Sequence, residues 1–260
     1  MIDMRSIIYE SIPDKIDDNA QWNLFLKRIL EVKRNPGSFE FLNKYLINSL
    51  KVGSDSKVLE VGAGVGLHAI QLAFHEVVVT DLDIVKANVE LINHLCQHYC
   101  LSNFNIVLGD SCNIPFKDSF FDGIFSMSCF EHIRDQDKAL DEQIRVLKKG
   151  GRLLIIDGNI LCPNTILDML ISRPINSRGR QGGLKWLLNK NRVYSDYGLG
   201  WPGKDEDVKS IFYWKKKIHN KEKLKLIEIN TEYSLKADNV IAKFLWPFLG
   251  RVFVLAEKII

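Results

Sequence analysis

The stretch Lys57–Gly66 reads KVLEVGAGVG. Its apolar run ends in three glycines that are separated by one residue each, and a helical pattern begins at Leu67. Glycines in this position permit positive φ angles and let a ligand approach the main chain closely. The free N–H groups at the start of the following helix can hold a negatively charged group. The stretch therefore predicts a strand–loop–helix ligand site.

The surrounding sequence indicates a parallel sheet with helices on its faces. Short apolar runs alternate with helix-like segments, which is typical of strands that are buried on both sides. Helical spacing also predicts two helices within 17–50, separated by Asn35-Pro36-Gly37. The first five predicted strands are Val58–Val61, Val77–Thr80, Phe104–Leu108, Phe121–Met127 and Arg152–Ile156, and the helices among them are Leu67–Phe74, Ile84–Tyr99 and Asp135–Leu147.

The alternation stops between about residues 160 and 220, where we predict an insertion after the fifth strand. Residues 172–225 contain 14 basic and 5 acidic side chains, although the whole chain has a formal charge of only +3. The aromatic residues of this stretch are candidates for the wall of an acceptor pocket, and its basic residues for contacts with an anionic molecule or a membrane surface. A solvated basic face is the alternative.

The glycine spacing narrows the choice of ligand. A dinucleotide-binding loop needs a third glycine at the position of Leu67, and a phosphate-binding Walker loop needs a Gly-Lys-Ser/Thr sequence that is absent here. Asp81 follows the second strand about 20 residues after the first glycine, where a carboxylate can bind both hydroxyls of a ribose. These residues predict a ligand that carries a ribose with a free diol.

Five segments in this order resemble the class I, Rossmann-like S-adenosylmethionine-dependent methyltransferases, particularly their small-molecule branch. The resemblance is strong over residues 58–157 and weaker toward the C-terminus. The matching segments are Val58–Gly66, Thr80–Asp83, Gly109–Phe116, Phe121–Met127 with Glu131–Ile133, and Leu147–Ile155.

The resemblance implies an α/β fold with a seven-stranded, mostly parallel sheet, whose last strand is antiparallel and whose two faces carry helices. Leu224–Tyr233 and Val252–Ala256 would complete this sheet. Residues 1–50 would form a helical lid, and residues 51–260 a methyltransferase domain with the insertion at about 160–220. The implied cofactor is S-adenosyl-L-methionine, and its predicted binding residues are Glu60, Gly62, Ala63, Gly64, Gly66, Asp81, Leu82, Asp110, Ser111, Cys112 and Ser126.

Within this family pattern, Asp81 would bind the ribose and Asp110 the adenine amino group. His132 is a candidate general base, because it follows the fourth strand at the edge that faces ligand. A structural role in that loop is the alternative. Methyl transfer by in-line displacement depends mainly on the alignment of donor and acceptor. It does not require a nucleophilic side chain of the protein or a metal ion. We predict no metal site, since the pairs His94/His98 and Cys96/Cys100 point to different faces of one helix.

The sequence thus favours a methyltransferase that acts on a small molecule, which an aromatic and basic pocket would fit if the molecule is anionic or lipid-like. An RNA methyltransferase, a non-catalytic S-adenosylmethionine-binding protein and a nicotinamide-linked dehydrogenase are the alternatives. Peripheral membrane contact is a further expectation, which rests on Lys215–Lys217 beside Ile211, Phe212 and Trp214. Five cysteines without CxxC spacing predict free thiols and a cytoplasmic location.

Overall fold

The computed structural model describes residues 20–163, 208–231 and 250–260. These residues form a seven-stranded sheet and the helices that cover it. The helices are α1 (Ala20–Arg34), α2 (Pro36–Leu50), α3 (Leu67–Phe74), α4 (Lys86–His98), α5 (Gln136–Val146) and α6 (Ile211–His219), with a 3-10 turn at Phe130–His132. The strands are β1 (Lys57–Val61), β2 (Val78–Asp83), β3 (Phe104–Leu108), β4 (Phe121–Met127), β5 (Leu147–Asp157), β6 (Leu224–Thr231) and β7 (Val252–Lys258).

The strand order across the sheet is β3-β2-β1-β4-β5-β7-β6. Strands β1 to β5 pair in parallel, and β7 lies antiparallel between β5 and β6. The predicted α/β sheet with an antiparallel last strand is therefore confirmed. The chain crosses from β3 back past β1 to reach β4, so the order reverses between β1 and β4. Open α/β sheets bind ligands outside the carboxyl ends of the strands at such a reversal.

Two hydrophobic layers cover the sheet, one on each face. Helices α1 to α4 pack on one face, and α5 and α6 pack on the other. Successive strand residues alternate between them, so that Val58 contacts the first layer and Leu59 the second. Glu60 and Asp81 follow this alternation and point beneath the first layer of helices. The alternation thus explains how two carboxyl groups come to be buried beside each other.

The junction between α1 and α2 follows the predicted break. Asn35 precedes α2 and its side chain accepts a hydrogen bond from the Ser38 N–H. Pro36 occupies the first turn, where its missing N–H is not needed. The two helices consequently change direction at these residues and form a wall beside the carboxyl ends of β1 and β2.

Helix α6 is a feature that the sequence prediction assigned to the insertion. It packs directly on β6, and its Trp214 is fully buried with its ring edge against Phe130 at 5.1 Å. The expectation that Trp214 could line an acceptor pocket is therefore wrong. Helical spacing places Trp214 on the buried side of α6 together with Ile211 and Ile218, while Phe212 is exposed.

Several expectations lie outside the described residues. They concern residues 1–19 of the predicted lid and most of the insertion with Trp186, Tyr194, Tyr197 and Trp201. The described part of the chain contains no helix with the length and apolar character that a membrane crossing requires. The basic stretch 172–225 is described only from residue 208.

We expect the Trp214→Ala substitution to lower the free energy of unfolding by about 3–5 kcal/mol, because it removes a large side chain from a packed core. Phe212→Ala on the same helix is the matched control, and its expected cost is below about 0.5 kcal/mol since Phe212 is exposed. Urea denaturation followed by circular dichroism measures both. Equal effects of the two substitutions would contradict the described orientation of α6.

Candidate functional site

A cavity of about 1420 Å³ lies at the carboxyl ends of β1 to β4. Its walls come from the glycine loop, the ends of β2 and β3, the turn after β4, and helices α1 and α2. Pockets for one small ligand commonly measure roughly 300–1,000 Å³. The cavity therefore offers space for two molecules side by side.

The glycine loop forms the inner wall of this cavity. Gly62, Gly64 and Gly66 all have positive φ angles, of 77°, 57° and 69°. A Cβ atom on Gly62 would lie 2.4 Å from the Cys129 sulfur, so a side chain there would clash. A Cβ on Gly64 would meet no atom within 4 Å. The backbone is thus packed behind Gly62 and open at Gly64, as a ligand cradle requires.

Asp83 ties this loop to the end of β2. Its Oδ2 accepts hydrogen bonds from the Gly64 N–H at 2.9 Å and from the Asn88 side chain at 3.0 Å, and its Oδ1 accepts from the Val85 N–H at 2.7 Å. These three donors, one from the glycine loop and two from the start of α4, hold the carboxylate in one orientation. Asp83 also lines the cavity. It is the carboxylate that the structure places beside the glycine loop.

Asp81 lies elsewhere than predicted. Its side chain is fully buried, is not among the residues that line the cavity, and opposes Glu60 across β1 and β2. Among the described residues, no N–H or hydroxyl group donates to either Asp81 oxygen. Asp81 therefore faces Glu60 inside the sheet, whereas Asp83, the last residue of β2, lines the cavity. The ribose contact of Asp81 stays a prediction.

Burial is the largest cause that raises the pKa of both carboxyl groups. The pKa of Glu60 rises to about 8, mainly through burial, while Asp81, Asp83 and the Ala69 N–H modify it. Burial and the charge of Glu60 raise the pKa of Asp81 as well. At neutral pH the two groups therefore hold a proton between them.

The outer wall combines apolar side chains with a tight turn. Ile84 follows β2 directly and Leu108 ends β3, and both remain exposed within the cavity, where a flat ring can cover them. Asp110 accepts a hydrogen bond from the Cys112 N–H at 2.8 Å, which fixes the turn that follows β3. Asp110, Ser111 and Cys112 all line the cavity, as a position beside a bound adenine requires.

The turn after β4 brings further polar groups to the cavity. His132 lines it from the 3-10 turn, and its Nε2 lies 3.8 Å from Glu131 Oε1. Cys129 also lines the cavity, and burial together with Asp157 and Asp83 raises the pKa of its thiol. Its side chain packs against Gly62, and the raised pKa keeps the thiol protonated, which does not favour a nucleophile.

The structure gathers most of the predicted site residues around one cavity. Asp81 and Ser126 are the exceptions, since neither lines it and Ser126 is buried in β4. The residues that line it as predicted are Glu60, Gly62, Ala63, Gly64, Gly66, Leu82, Asp110, Ser111, Cys112 and His132. Within residues 20–163, 208–231 and 250–260, no three His, Cys, Asp or Glu side chains are grouped to hold a metal ion.

The sequence analysis did not name Asp83, and it predicted a helical lid from residues 1–50 without naming the side chains that line the cavity. The sequence signal for Asp83 is the second carboxylate in Thr80-Asp81-Leu82-Asp83, which lies two residues nearer the strand end than Asp81. The wall formed by α1, α2 and α3 contains Arg28, Phe39 and His68. These side chains meet only when the helices pack, so spacing in the sequence could not group them.

Comparison with known proteins identifies the domain. Residues 59–155 match the family model described as a methyltransferase domain. This segment is therefore similar to a methyltransferase domain. The match spans the glycine loop, Asp83, the turn after β3 and His132, which are the elements that surround the cavity.

Two curated relatives of the methyltransferase domain carry names that state their reaction. The O-methyltransferase rstn1 of Aspergillus nomiae is 31% identical over 112 residues, which are 42% of this chain and 50% of the relative. The demethylmenaquinone methyltransferase of Tropheryma whipplei is 31% identical over 108 residues, 42% of this chain and 44% of the relative. This chain thus spans about half the length of the curated relatives that it matches.

A solved structure shows the same fold over a longer span. The YcgJ protein of Bacillus subtilis superposes with a TM-score of 0.56 at 20% identity, over 83% of this chain and 97% of YcgJ. In sequence, this uncharacterized methyltransferase is 30% identical over 112 residues, 43% of this chain and 44% of YcgJ. The methyltransferase fold therefore extends beyond the segment matched by the family model, and the family resemblance predicted from sequence is confirmed.

We expect the stability of the protein to fall as pH rises from about 4.5 to 8, because folded Glu60 keeps a proton that the unfolded chain loses. The stability that the raised Glu60 pKa contributes is fully present below about pH 4.5 and is lost as the pH rises through about 8. Asp81→Asn should reduce this fall by at least about 1.4 kcal/mol, the equivalent of one pKa unit. Urea denaturation at pH 5.5 and 8.5 measures it, with the exposed Glu90→Gln as control. Parallel pH profiles of Asp81→Asn and wild type would rule out the shared proton.

Proposed function

We propose that this chain is an S-adenosyl-L-methionine-dependent methyltransferase that acts on a small-molecule acceptor. The observation that carries the proposal is the glycine loop joined to Asp83 beside a cavity with space for two molecules. The methyltransferase family match over residues 59–155 supports the same cofactor class. The curated relatives carry names of small-molecule methyltransferases, which supports the acceptor class.

The residues around the cavity fit each part of this cofactor. The open backbone at Gly64 and the N-terminus of α3 suit its amino-acid portion. The fixed carboxylate of Asp83 can accept hydrogen bonds from both ribose hydroxyls. The apolar side chains of Ile84 and Leu108 can cover the two-ring base, whose amino group would reach Asp110. In this assignment Asp83 binds the ribose hydroxyls. Asp81 contacts Glu60, which lies on the strand that leads into the glycine loop.

Bound S-adenosylmethionine supplies an electrophilic methyl group. The protein's contribution is to hold the acceptor in line with that group and to keep water away. Helices α1 and α2 line the cavity, and their side chains can contribute to this exclusion of water. His132 at the cavity wall is a candidate to take a proton from the acceptor, with Glu131 beside its ring.

The acceptor we propose is a small molecule rather than RNA. Residues of α1 and α2 line this cavity together with the glycine loop, and an enclosed cavity suits a small molecule. An anionic or lipid-like acceptor, a role for the basic stretch 172–225 and peripheral membrane contact stay predictions. A cytoplasmic location is likewise proposed, in keeping with the free thiols of all five cysteines.

We expect Asp83→Asn to weaken the binding of S-adenosylhomocysteine at least tenfold, because it removes a charged acceptor for the ribose hydroxyls. Asp81→Asn is the matched control, since its side chain lies two residues earlier on the same strand but does not line the cavity. Its affinity should stay within about threefold of wild type. Isothermal titration calorimetry measures both. A larger loss for Asp81→Asn than for Asp83→Asn would show that the ribose assignment is wrong.

The proposed reaction itself is tested by transfer of a labelled methyl group. Purified protein with labelled S-adenosylmethionine is incubated with extracts separated into small-molecule, lipid, saccharide and RNA fractions. Label in a small-molecule or lipid fraction supports the proposal, and label in RNA alone would contradict it. With the labelled fraction as substrate, His132→Phe should lower turnover about 100-fold or more while S-adenosylhomocysteine still binds. Turnover near the wild-type value would remove His132 as a base.

A further inference from the structure

We propose that His68 binds the methyl acceptor through its Nε2 atom, which accepts a hydrogen bond from a hydroxyl group of that acceptor. The proposal rests on the proposed function, because it assigns the acceptor side of the same cavity. His68 is the second residue of α3 and follows the glycine loop directly. It is half-buried and lines the cavity.

Helix α2 holds the His68 ring in one orientation. The His68 Nδ1 lies 2.7 Å from Asn43 Oδ1, and the Phe39 ring lies 4.9 Å from the imidazole at an angle of 35°. Asn43 is itself buried, although it is a polar residue in the middle of a helix. A buried amide of this kind costs free energy unless its hydrogen bonds are made. The Asn43 contact therefore orients the histidine.

This contact also decides which nitrogen carries the proton. The amide oxygen of Asn43 can only accept, so the His68 Nδ1 must donate. In a neutral imidazole the other nitrogen then has a free lone pair. The His68 Nε2 is consequently a hydrogen-bond acceptor, and the group it binds must be a donor.

The surroundings keep the ring neutral. Burial, Arg251 and Arg28 together lower the pKa of His68 to about 3. Arg28 lies on α1 and Arg251 precedes β7, and both line the cavity, with Glu31 paired to Arg28 at 2.8 Å. An environment that disfavours an imidazolium also disfavours an ammonium group on the acceptor. A neutral hydroxyl group is the donor that fits this end of the cavity.

The tautomer of His68 is measured by nuclear magnetic resonance on protein with ¹⁵N-labelled histidine. We expect a protonated Nδ1, an unprotonated Nε2 and no titration of His68 between pH 5 and 8. In Asn43→Asp the carboxylate should raise the His68 pKa into this range, because it stabilises the imidazolium. A wild-type His68 that carries its proton on Nε2, or that is charged at pH 7, would overturn the proposal.

Binding is tested with phenol, and with methoxybenzene as the matched probe that lacks the hydroxyl hydrogen. With S-adenosylhomocysteine bound, phenol should shift the His68 Nε2 resonance and methoxybenzene should not. His68→Phe keeps a ring beside Phe39 but removes the acceptor, and should weaken phenol binding about three- to tenfold. His98→Phe, an exposed position on α4, is the control and should leave it unchanged.

The outcomes separate this proposal from the proposed function. Wild-type protein that fails to bind S-adenosylhomocysteine contradicts the proposed function. Normal binding of S-adenosylhomocysteine, with phenol and methoxybenzene acting alike on His68, overturns only the role of His68. Asn43→Leu gives a second check, because it should weaken phenol binding with S-adenosylhomocysteine affinity within about twofold of wild type. An unchanged phenol affinity in this variant would contradict the positioning role of Asn43.

Discussion

The hydrogen bond from the Gly64 N–H to the Asp83 carboxylate joins the glycine loop to β2, and the shape of the cavity depends on it. It forms because Gly64 adopts a positive φ angle and because β1 and β2 pair in a register that brings the Gly62 N–H to Leu82. Side chains at these glycines would disturb the loop or fill the cradle. The backbone of the glycine loop and the Asp83 carboxylate are thus held in fixed positions relative to each other.

Glu60 and Asp81 form a buried pair of carboxyl groups next to the glycine loop, and their burial lowers the stability of the folded protein. Glu60 accepts from the Ala69 N–H in the first turn of α3, and Asp81 opposes it on β2. A pair that shares a proton links the loop, the helix and the strand in the folded state below about pH 8. Such a cost is common where a site needs polar groups in fixed positions.

The sequence predicted the sheet and the glycine loop well, because both follow from local patterns. Apolar runs of strand length and glycines at alternating positions need no knowledge of distant residues. The choice between Asp81 and Asp83 depends instead on where β2 ends, and strand ends are the least reliable part of such predictions. The burial of Trp214 depends on the packing of α6 against β6, which the local sequence does not reveal. For this reason the sequence analysis counted Trp214 among the candidates for a pocket wall. His68 and Asn43 are 25 residues apart, and only the packing of α2 on α3 brings them together.

The central claim is that the carboxyl edge of β1 and β2 holds an adenosyl group on Asp83. A crystal structure of the protein with S-adenosylhomocysteine tests it most directly. We expect both ribose hydroxyls within hydrogen-bond distance of the Asp83 carboxylate, the amino-acid portion over Gly64, and the base between Ile84 and Leu108. A complex in which the ribose contacts Asp81, or in which this cavity stays empty at saturating ligand, would contradict the account.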